Sequence, residues 1–385
     1  MIKEIAVKIY LMIFKLFFTV FNFMLQKEKT VFVTSFADNS LYVMDALKEQ
    51  KPTEEIVILK DIKSSLNPRS LSDCKVYVFN DFKKPFQFIR SIYHLATSRI
   101  IFIDNYFGFI AGMPVDKKQI IIQLWHAAGA VKTFGMEDEQ VKLRRLSARD
   151  RFQFTYDQID YTVVGSERMG EIFISAFNTT NENLLKTGVP RTDFFFNDLE
   201  LQKVKRNMEE LYPFIKDKKV ILYAPTFREG KNANNFTLDY DKLKKSISQD
   251  YVILIKYHPR LNTTFKADEL PDYVYDVSSH IQVNELLTVV DILVTDYSSL
   301  PFEFALLKRP MVYYVPDLAE YTKSRGLWEP IETSLPGAIA KNTDELIDAI
   351  NQASVNLKEL NDFNLRWNEY STGNSSQNLI DVFYH

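Results

Sequence analysis

Two hydrophobic periods alternate along the chain from Lys29 onward. Short apolar runs rich in Val and Ile have the length and composition of buried parallel strands, and stretches with the 3.6-residue period of a helix lie between several of them. The strand candidates are TVFVTSF, EIVILKD, CKVYVFN, RIIFIDN, QIIIQLW and DYTVVGS, followed by KKVILYAP, YVILIKYHP, DYVYDVS, DILV (Asp291–Val294) after a helical NELL, and MVYYVP. This alternation predicts an α/β fold.

The length of the chain predicts more than one domain. It has 385 residues, whereas single hydrophobic cores stop growing at roughly 250–300 residues. The two series of strand candidates meet at a more polar stretch near residue 200. We therefore expect two Rossmann-like domains facing a cleft, residues 29–200 and 201–385, with the last helix able to pack back on the N-terminal domain.

The N-terminal residues predict a helix of a different kind. Residues 2–26 contain no Gly or Pro, and their polar positions share one stripe about 60° wide on a helical projection: Glu4, Lys8, Lys15, Thr19, Asn22 and Gln26. The charge-free run from Leu16 is shorter than the ~20 apolar residues that a bilayer crossing needs. We expect residues 1–28 to lie in a membrane surface; the alternative is a helix docked on the protein's own core. The residues assigned to this membrane contact are Lys8, Lys15, Phe17, Phe18 and Phe21.

Composition excludes several classes of function. A net charge of −3 and a pI near 6.1 disfavour a nucleic-acid-binding protein, which is usually basic over a whole domain. The single cysteine, Cys74, excludes a disulfide framework and a Cys-based zinc site, and it fits a reducing compartment. No His/carboxylate cluster has the spacing of metal ligands, so we predict no metal site and no cofactor.

One segment, from Val294 to Tyr314, predicts an anion site. A strand ends in TDYSS, a helix begins with Pro301 in its first turn, and MVYYV returns as a second strand. Hydroxyl groups beside the free N–H groups of a helix N-terminus suit a phosphate, although an ordinary capped helix has the same pattern. The candidate ligands are Thr295, Ser298 and Ser299, with Glu303 either accepting sugar or glycerol hydroxyls or simply favoured by the helix dipole.

Three other turns at predicted strand ends carry chemistry. They are QLWHAAGAVKTFG with His126 and Gly129, YAPTFRE with Thr226 and Arg228, and KYHPR with Lys256 and His258. A lone histidine in such a place is more often structural. Because the carboxyl ends of parallel strands form the ligand-binding edge of an open sheet, two histidines, two cations and a serine turn at these ends together favour a site.

Five motifs, in this order, resemble those of the CDP-glycerol glycerophosphotransferases of teichoic acid synthesis. They are WHAAG with KTFG, GVPRTD at 188–193, YAPTFRE, HP and VTDYSSxxFExxxLKRP, and the resemblance covers roughly residues 100–365. Polymerising members typically read WHGTPLK where this chain reads WHAAGAVK. That departure makes the chain similar to the priming branch, which adds the first glycerol phosphate to a lipid-linked disaccharide.

The resemblance implies a GT-B-like fold with an N-terminal acceptor domain and a C-terminal CDP-glycerol domain. It implies transfer of glycerol phosphate from CDP-glycerol to an undecaprenyl-diphosphate-linked disaccharide, releasing CMP, at the cytoplasmic face of a bacterial membrane as a peripheral (monotopic) protein. By its match to the WH motif, His126 is the expected general base. His258, Arg228 and the paired serines are expected to stabilise charge on the diphosphate, with Thr295 a weaker candidate. Which histidine serves as base stays open, as does the number of units transferred.

Three rival functions remain. The chain is either a poly(glycerol phosphate) polymerase of the same family, a nucleotide-sugar glycosyltransferase or epimerase on the same fold, or a noncatalytic membrane-bound scaffold. A scaffold would have no chemical need for His126 and His258. The central expectation is that these two histidines and the paired serines converge on one diphosphate. The basic run KLRRLSARDR, from Lys142 to Arg151, fits either anionic headgroups or a solvated helix face.

Overall fold

A computed structural model describes most of the chain, which divides into two compact units. The described residues are 2–62, 64, 66, 74–79, 84–226, 228, 238–257, 270–280 and 282–384. The first unit comprises Met1–Ala127, Phe134–Asp193 and Asn368–His385, and the second comprises Ala128–Thr133 and Phe194–Trp367. The N-terminal helix and the C-terminal helix both belong to the first unit, the latter as expected from the sequence, and a six-residue segment after His126, Ala128–Thr133, belongs to the second.

The first unit contains a seven-stranded parallel sheet. Its strands are β1 (Lys29–Thr34), β2 (Glu55–Asp61), β3 (Lys75–Phe79), β4 (Ile100–Ile103), β5 (Ile120–Gln123), β6 (Tyr161–Val163) and β7 (Leu184–Leu185). They lie in the order β3-β2-β1-β4-β5-β6-β7, and β1, an inner strand, is buried along its whole length. The order reverses between β1 and β4, which is the topological switch point of a doubly wound sheet.

The second unit contains a six-stranded parallel sheet. Its strands are β8 (Lys219–Ala224), β9 (Tyr251–Ile255), β10 (Val274–Asp276), β11 (Ile292–Thr295), β12 (Met311–Tyr314) and β13 (Ala338–Ala340). They lie in the order β10-β9-β8-β11-β12-β13. The switch point is therefore between β8 and β11, and Ala224 pairs with Thr295 at its carboxyl edge.

Helices connect the strands and cover the sheets, as the 3.6-residue periods predict. They are α1 (Ile2–Asn22), α2 (Asp38–Gln50), α3 (Pro85–Ala96), α4 (Glu139–Lys142), α5 (Leu146–Asp157), α6 (Glu167–Phe177), α7 (Asp198–Leu211), α8 (Tyr240–Ser246), α9 (Val283–Leu287), α10 (Leu300–Phe304), α11 (Leu318–Arg325), α12 (Ile331–Ser334), α13 (Thr343–Asn351), α14 (Leu357–Trp367) and α15 (Ser375–Phe383). In the first unit α15 packs beside α2, where Leu379 and Ile380 join the same core cluster as Leu47. The last helix thus completes a core that begins at β1.

The helix α1 has two apolar faces with different surroundings. Phe14 and Phe18 are fully buried, and Phe14 lies 5.3 Å from the ring of Phe109. Phe17 and Phe21 are half-buried, with Phe21 edge-on to Tyr93 of α3 at 5.6 Å. The assignment of Phe18 to a membrane contact is therefore wrong, because its ring fills the core of the first unit, as the docked-helix alternative requires.

The opposite face of α1 is exposed. Its apolar side chains are Ile5, Ile9, Met12, Ile13, Leu16 and Val20. Lys8 and Lys15 are exposed at its border, while Glu4 is bonded to Arg151 at 3.1 Å. Within the part of the chain that the structure describes, no helix has both the length and the apolarity to cross a membrane.

Candidate active site

The switch point of the first sheet brings together residues from three strand ends. Asp104 directly follows β4, and its side chain is buried. Its carboxylate accepts backbone N–H groups from the loop after β1, from Ser35 at 2.8 Å, Phe36 at 3.0 Å and Ala37 at 2.8 Å. Burial raises the pKa of Asp104 to about 6, although these N–H groups act in the opposite direction. The carboxylate therefore fixes the loop that leads into α2.

His126 lies three residues beyond the end of β5, at the same edge of the first sheet, and is half-buried. Its Nδ1 atom is 2.9 Å from the backbone oxygen of Asp104. Because a carbonyl oxygen only accepts, Nδ1 carries the proton, and Nε2 of the neutral ring is then the basic nitrogen. The ring of Phe36 stacks on the imidazole, with centroids 4.3 Å apart and planes 19° apart. This is the tautomer that a general base needs.

The residue before His126 has an unusual backbone. Trp125 has φ 59°, a left-handed conformation that costs a bulky residue roughly 1–3 kcal/mol and that persists only when neighbours impose it. Its N–H donates to the side chain of Gln123 at 2.9 Å, and its carbonyl accepts from Asn39 at 2.9 Å. Its indole packs 4.6 Å from Phe134. Both peptide groups and the ring are thus held in place.

The GVPRTD motif supports the same edge. The backbone N–H of Arg191 donates to Asn39 at 2.9 Å, so Asn39 joins this segment to the Trp125 carbonyl. Asp193 accepts the N–H groups of Ser375 and Ser376, both at 2.8 Å, at the start of α15. The motif therefore acts as a scaffold for the histidine turn and for the last helix.

A buried aspartate also binds the neighbouring loop at the switch point of the second sheet. Asp296, directly after β11, accepts the backbone N–H of Thr226 at 2.8 Å and its hydroxyl at 2.5 Å. It also pairs with Arg228 at 2.9 Å. Thr226 was expected to bind substrate, but the structure places its donors on Asp296.

Arg228 is a structural cation. Its guanidinium is buried, pairs with Asp317 at 2.9 Å and donates to the Thr226 carbonyl. The rings of Tyr297 and Tyr321 lie 4.9 and 4.6 Å from it. Burial alone would lower the pKa of Arg228, but Asp296 and Asp317 raise it. Its guanidinium donates to two carboxylates and one backbone carbonyl, which gives it a structural role. That it binds the diphosphate stays a prediction.

The TDYSS turn divides into buried and accessible hydroxyls. Thr295 is fully buried, and its hydroxyl donates to Ala224 at 2.7 Å, which excludes it as a phosphate ligand. Ser298 is half-buried and accepts the N–H of Leu300 at 3.2 Å. Ser299 is half-buried at the N-cap of α10, without a side-chain capping bond. The α-helix covers Leu300–Phe304 and continues as a 3-10 turn over Ala305–Leu307.

Two further expected ligands belong to the packing of the second unit. The side chain of Glu303 is fully buried, and Oε1 accepts the N–H of Ala128 at 3.2 Å. A Cβ at Gly129 would lie 2.3 Å from the ring of Phe302. Glu303 therefore anchors the segment after His126, and Gly129 gives close approach to a side chain; neither has the access to a ligand that was expected.

The same segment contains a further cation, Lys132, which is not among the site residues expected from the sequence. Lys132 pairs by its backbone with Leu327, and Thr133 donates to the Gly326 carbonyl at 3.3 Å. Burial lowers the pKa of Lys132 to about 8, while Asp296 opposes this shift. Its signal in the sequence is the KTFG part of the first motif.

The remaining expected residues lie after β9. Lys256 is half-buried, and its ammonium donates to the backbone oxygen of His280. His258 lies outside the described residues, so its role and its convergence with His126 stay predictions. Among the residues that the structure does describe, no group of three or more His, Cys, Asp or Glu side chains could hold a metal ion.

Comparison with known proteins identifies the family. The sequence profile of CDP-Glycerol:Poly(glycerophosphate) glycerophosphotransferase matches residues 16–384. The chain is 34% identical to the teichoic acid glycerol-phosphate primase of Bacillus subtilis (strain 168), over 92% of this chain and 91% of that protein. It is 33% identical to the teichoic acid ribitol-phosphate polymerase TarK of Staphylococcus aureus (strain NCTC 8325 / PS 47), over 96% of this chain and 72% of that protein.

Solved structures share the fold. The wall teichoic acid polymerase TagF matches with a TM-score of 0.78 at 22% identity, covering 99% of this chain and 97% of that chain. The UDP-GlcNAc 2-epimerase from Neisseria meningitidis matches with a TM-score of 0.60 at 17% identity, covering 92% and 98%. The two Rossmann-like sheets are thus the GT-B-like fold that the sequence predicts. Together with the profile match, this shows that the chain belongs to the CDP-glycerol:poly(glycerophosphate) glycerophosphotransferase family of teichoic acid enzymes.

Proposed function

We propose that the protein is a teichoic acid primase that transfers glycerol phosphate from CDP-glycerol to an undecaprenyl-diphosphate-linked disaccharide, with release of CMP. The observation that carries this proposal is the fixed tautomer of His126, whose Nδ1 proton is held by the Asp104 carbonyl at 2.9 Å. A family glycerophosphotransferase needs a base for the acceptor hydroxyl, and Nε2 of this ring is suited to that task.

The priming step is favoured over polymerisation by two observations. The alignment with the glycerol-phosphate primase spans 91% of that protein, whereas the alignment with the ribitol-phosphate polymerase spans 72% of it. The chain also reads WHAAGAVK, the departure from the typical polymerising pattern on which its resemblance to the priming branch rests. The chemistry of transfer is the same for either step.

In the proposed reaction, the acceptor hydroxyl gives its proton to Nε2 of His126 as its oxygen bonds to the β-phosphorus of CDP-glycerol. The bond from that phosphorus to the bridging oxygen breaks, and the oxygen leaves with the electron pair as part of CMP. Negative charge builds on the transferring phosphoryl oxygens and on CMP. The half-exposed hydroxyls of Ser298 and Ser299, together with Lys256 and His258, are the proposed donors that stabilise it.

The protein is further proposed to work at a membrane surface, since a lipid-linked acceptor lies there. The exposed apolar face of α1, bordered by Lys8 and Lys15, has the character of an interfacial helix. Leu143 and Leu146 are also exposed within the basic run that precedes and enters α5. The occupant of both surfaces is proposed to be the membrane, with the lysines and arginines at its anionic headgroups.

The test is CMP release from CDP-glycerol in the presence of a synthetic lipid-diphosphate disaccharide. Wild-type protein should release CMP, and mass spectrometry of the acceptor should show one added glycerol phosphate. His126→Ala should lower the rate at least about a hundredfold and leave CDP-glycerol binding largely intact. His126→Asn is the matched variant, because its amide retains an N–H donor for the Asp104 carbonyl while lacking a basic nitrogen; it should be as inactive as the alanine variant.

The outcomes separate the rival functions. Long glycerol phosphate chains on the acceptor would show a polymerase instead of a primase. Thermal stabilisation by a UDP-sugar and none by CDP-glycerol would favour a nucleotide-sugar enzyme. Liposome binding without CMP release would favour a scaffold.

A further inference from the structure

We propose that Asp104 and Phe36 are positioning residues for His126, acting together as a clamp that fixes the tautomer and the tilt of the imidazole. This inference rests on the proposed function, because it assumes that His126 is the base. It gives a role to two residues that lie outside all five sequence motifs.

Asp104 acts on the imidazole through its backbone and its side chain at once. Its carbonyl oxygen, 2.9 Å from Nδ1, sets which nitrogen is protonated. Its carboxylate accepts the N–H groups of Ser35, Phe36 and Ala37, at 2.8–3.1 Å. The two groups lie on one residue at the end of β4, so the loop and the imidazole share a single anchor.

Phe36 is held by that loop against the imidazole face. The ring centroids are 4.3 Å apart, and the planes differ by only 19°. Ala37 has φ 72°, which turns the chain sharply into α2 and leaves the Phe36 backbone on the Asp104 carboxylate. When His126 takes a proton during transfer, the π face of Phe36 stabilises the resulting imidazolium.

Core packing does not account for this arrangement. Phe36 is 43% exposed, so its ring does not fill the interior. The buried carboxylate of Asp104 costs desolvation, as its raised pKa shows. Asp296 occupies the corresponding strand end in the second unit and binds the loop after β8 in the same way. Both sheets thus use an aspartate at the switch point to order the loop where ligands bind.

The first test substitutes the ring and leaves the loop backbone intact. Phe36→Leu keeps an apolar side chain without a π face, and Phe36→Tyr restores the ring. Phe86→Leu is the matched control, because Phe86 is an exposed phenylalanine of the same unit outside the clamp. Phe36→Leu should lower kcat by about fivefold to tenfold with KM for CDP-glycerol within about twofold; Phe36→Tyr should recover most of the loss, and Phe86→Leu should behave as wild type.

The second test reads the imidazole directly. In ¹⁵N-histidine-labelled protein, the His126 signals, assigned by their loss in His126→Asn, should show the Nδ1–H tautomer in wild type. Asp104→Asn should lower kcat and give a mixture of tautomers, because the loop and the carbonyl lose their common anchor. If that variant does not fold, the Phe36 series decides alone.

Native kcat and an unchanged tautomer in Phe36→Leu and Asp104→Asn would overturn the clamp. A raised KM for CDP-glycerol at native kcat would also overturn it, since Phe36 would then bind ligand. The tautomer measurement needs no substrate, so failure of wild-type protein to release CMP would refute the proposed reaction without deciding the clamp.

Discussion

Asp104 and Asp296 occupy corresponding places in the two sheets, at the carboxyl end of the strand that pairs with the first strand of its sheet across the switch point. Each carboxylate is buried and accepts backbone N–H groups from the loop across the switch point. Asp296 also has Arg228 as a partner at 2.9 Å, whereas burial dominates at Asp104 and raises its pKa. The two aspartates therefore bind their loops under different conditions, with an ion pair at Asp296 and a desolvation cost at Asp104.

The raised pKa of Asp104 predicts how stability depends on pH. The folded value of about 6 lies above the ordinary value of 3.8, so the folded state favours the protonated acid. The contribution to the free energy of unfolding is then fully present below about pH 4 and lost as pH rises through about 6, a change of about 3 kcal/mol. Denaturant unfolding of wild type and Asp104→Asn at pH 4 and pH 7.5 measures it, because other groups cancel in the comparison. Wild type should lose stability relative to the variant at the higher pH; a constant difference would refute the assignment.

The close packing around Gly129 predicts that a larger residue at this position destabilises the fold. A methyl group there would lie 2.3 Å from the Phe302 ring, which is itself stacked on Phe363 at 5.4 Å and has little room to move. Gly129→Ala should therefore lower the free energy of unfolding by about 1–3 kcal/mol, measured by denaturant unfolding. Gly108→Ala is the control, because the nearest atom there is at 3.6 Å. Native stability with weakened CDP-glycerol binding would instead support the ligand contact that the sequence suggests.

The sequence patterns predict which strand ends carry polar residues. They do not predict the direction in which each side chain points. A hydroxyl at a strand end can face a ligand or the carbonyl of the neighbouring strand, and Thr295 does the latter with Ala224. The sequence predicts a diphosphate ligand at Arg228 and does not predict its ion pair with Asp317, which lies 89 residues later in the chain. Asp104 had a signal, an acidic residue directly after the strand RIIFI, but its three N–H partners depend on the pairing of β1 with β4.

At the scale of elements, α1 shows how two opposed interpretations can describe two faces of one helix. The face with Phe14 and Phe18 is fully buried, and burying a phenylalanine contributes about 1.5–3 kcal/mol. The other face leaves Ile9 48% and Leu16 62% exposed. The period of the sequence marks both faces as apolar, and only the positions of α3 and of the segment around Phe109 distinguish them.

Substitutions on the two faces of α1 should have separate effects, on membrane binding and on stability. Ile9→Glu with Leu16→Glu should abolish flotation with phosphatidylglycerol-containing liposomes at native thermal stability, because only exposed side chains change. Phe14→Ala should lower the free energy of unfolding by about 3–5 kcal/mol. Leu357→Glu with Leu365→Glu, on the exposed face of α14, is the control and should still float. Flotation of the α1 double variant at wild-type levels would remove this helix from the membrane contact.

At the scale of the molecule, the alternation of apolar runs and amphipathic stretches predicts the inner strands of both parallel sheets, since a buried strand has a continuous hydrophobic signature. It does not predict β7 and β13, which are only two and three residues long. The unit boundaries were not predictable in the same way. The segment Ala128–Thr133 is grouped with the second unit because of single bonds such as that from Ala128 to Glu303. The last helix belongs to the first unit, as expected from the sequence, but its bonds to Asp193 were not foreseen. Such long-range polar contacts leave no periodic trace in a sequence.

The most direct test of the account is CMP release from CDP-glycerol with a lipid-diphosphate disaccharide, compared between wild type and His126→Asn. We predict acceptor-dependent release of CMP by wild type and a rate at least about a hundredfold lower for the variant, with CDP-glycerol binding retained. Equal rates for the two proteins, or no CMP from liposome-bound wild type, would contradict it.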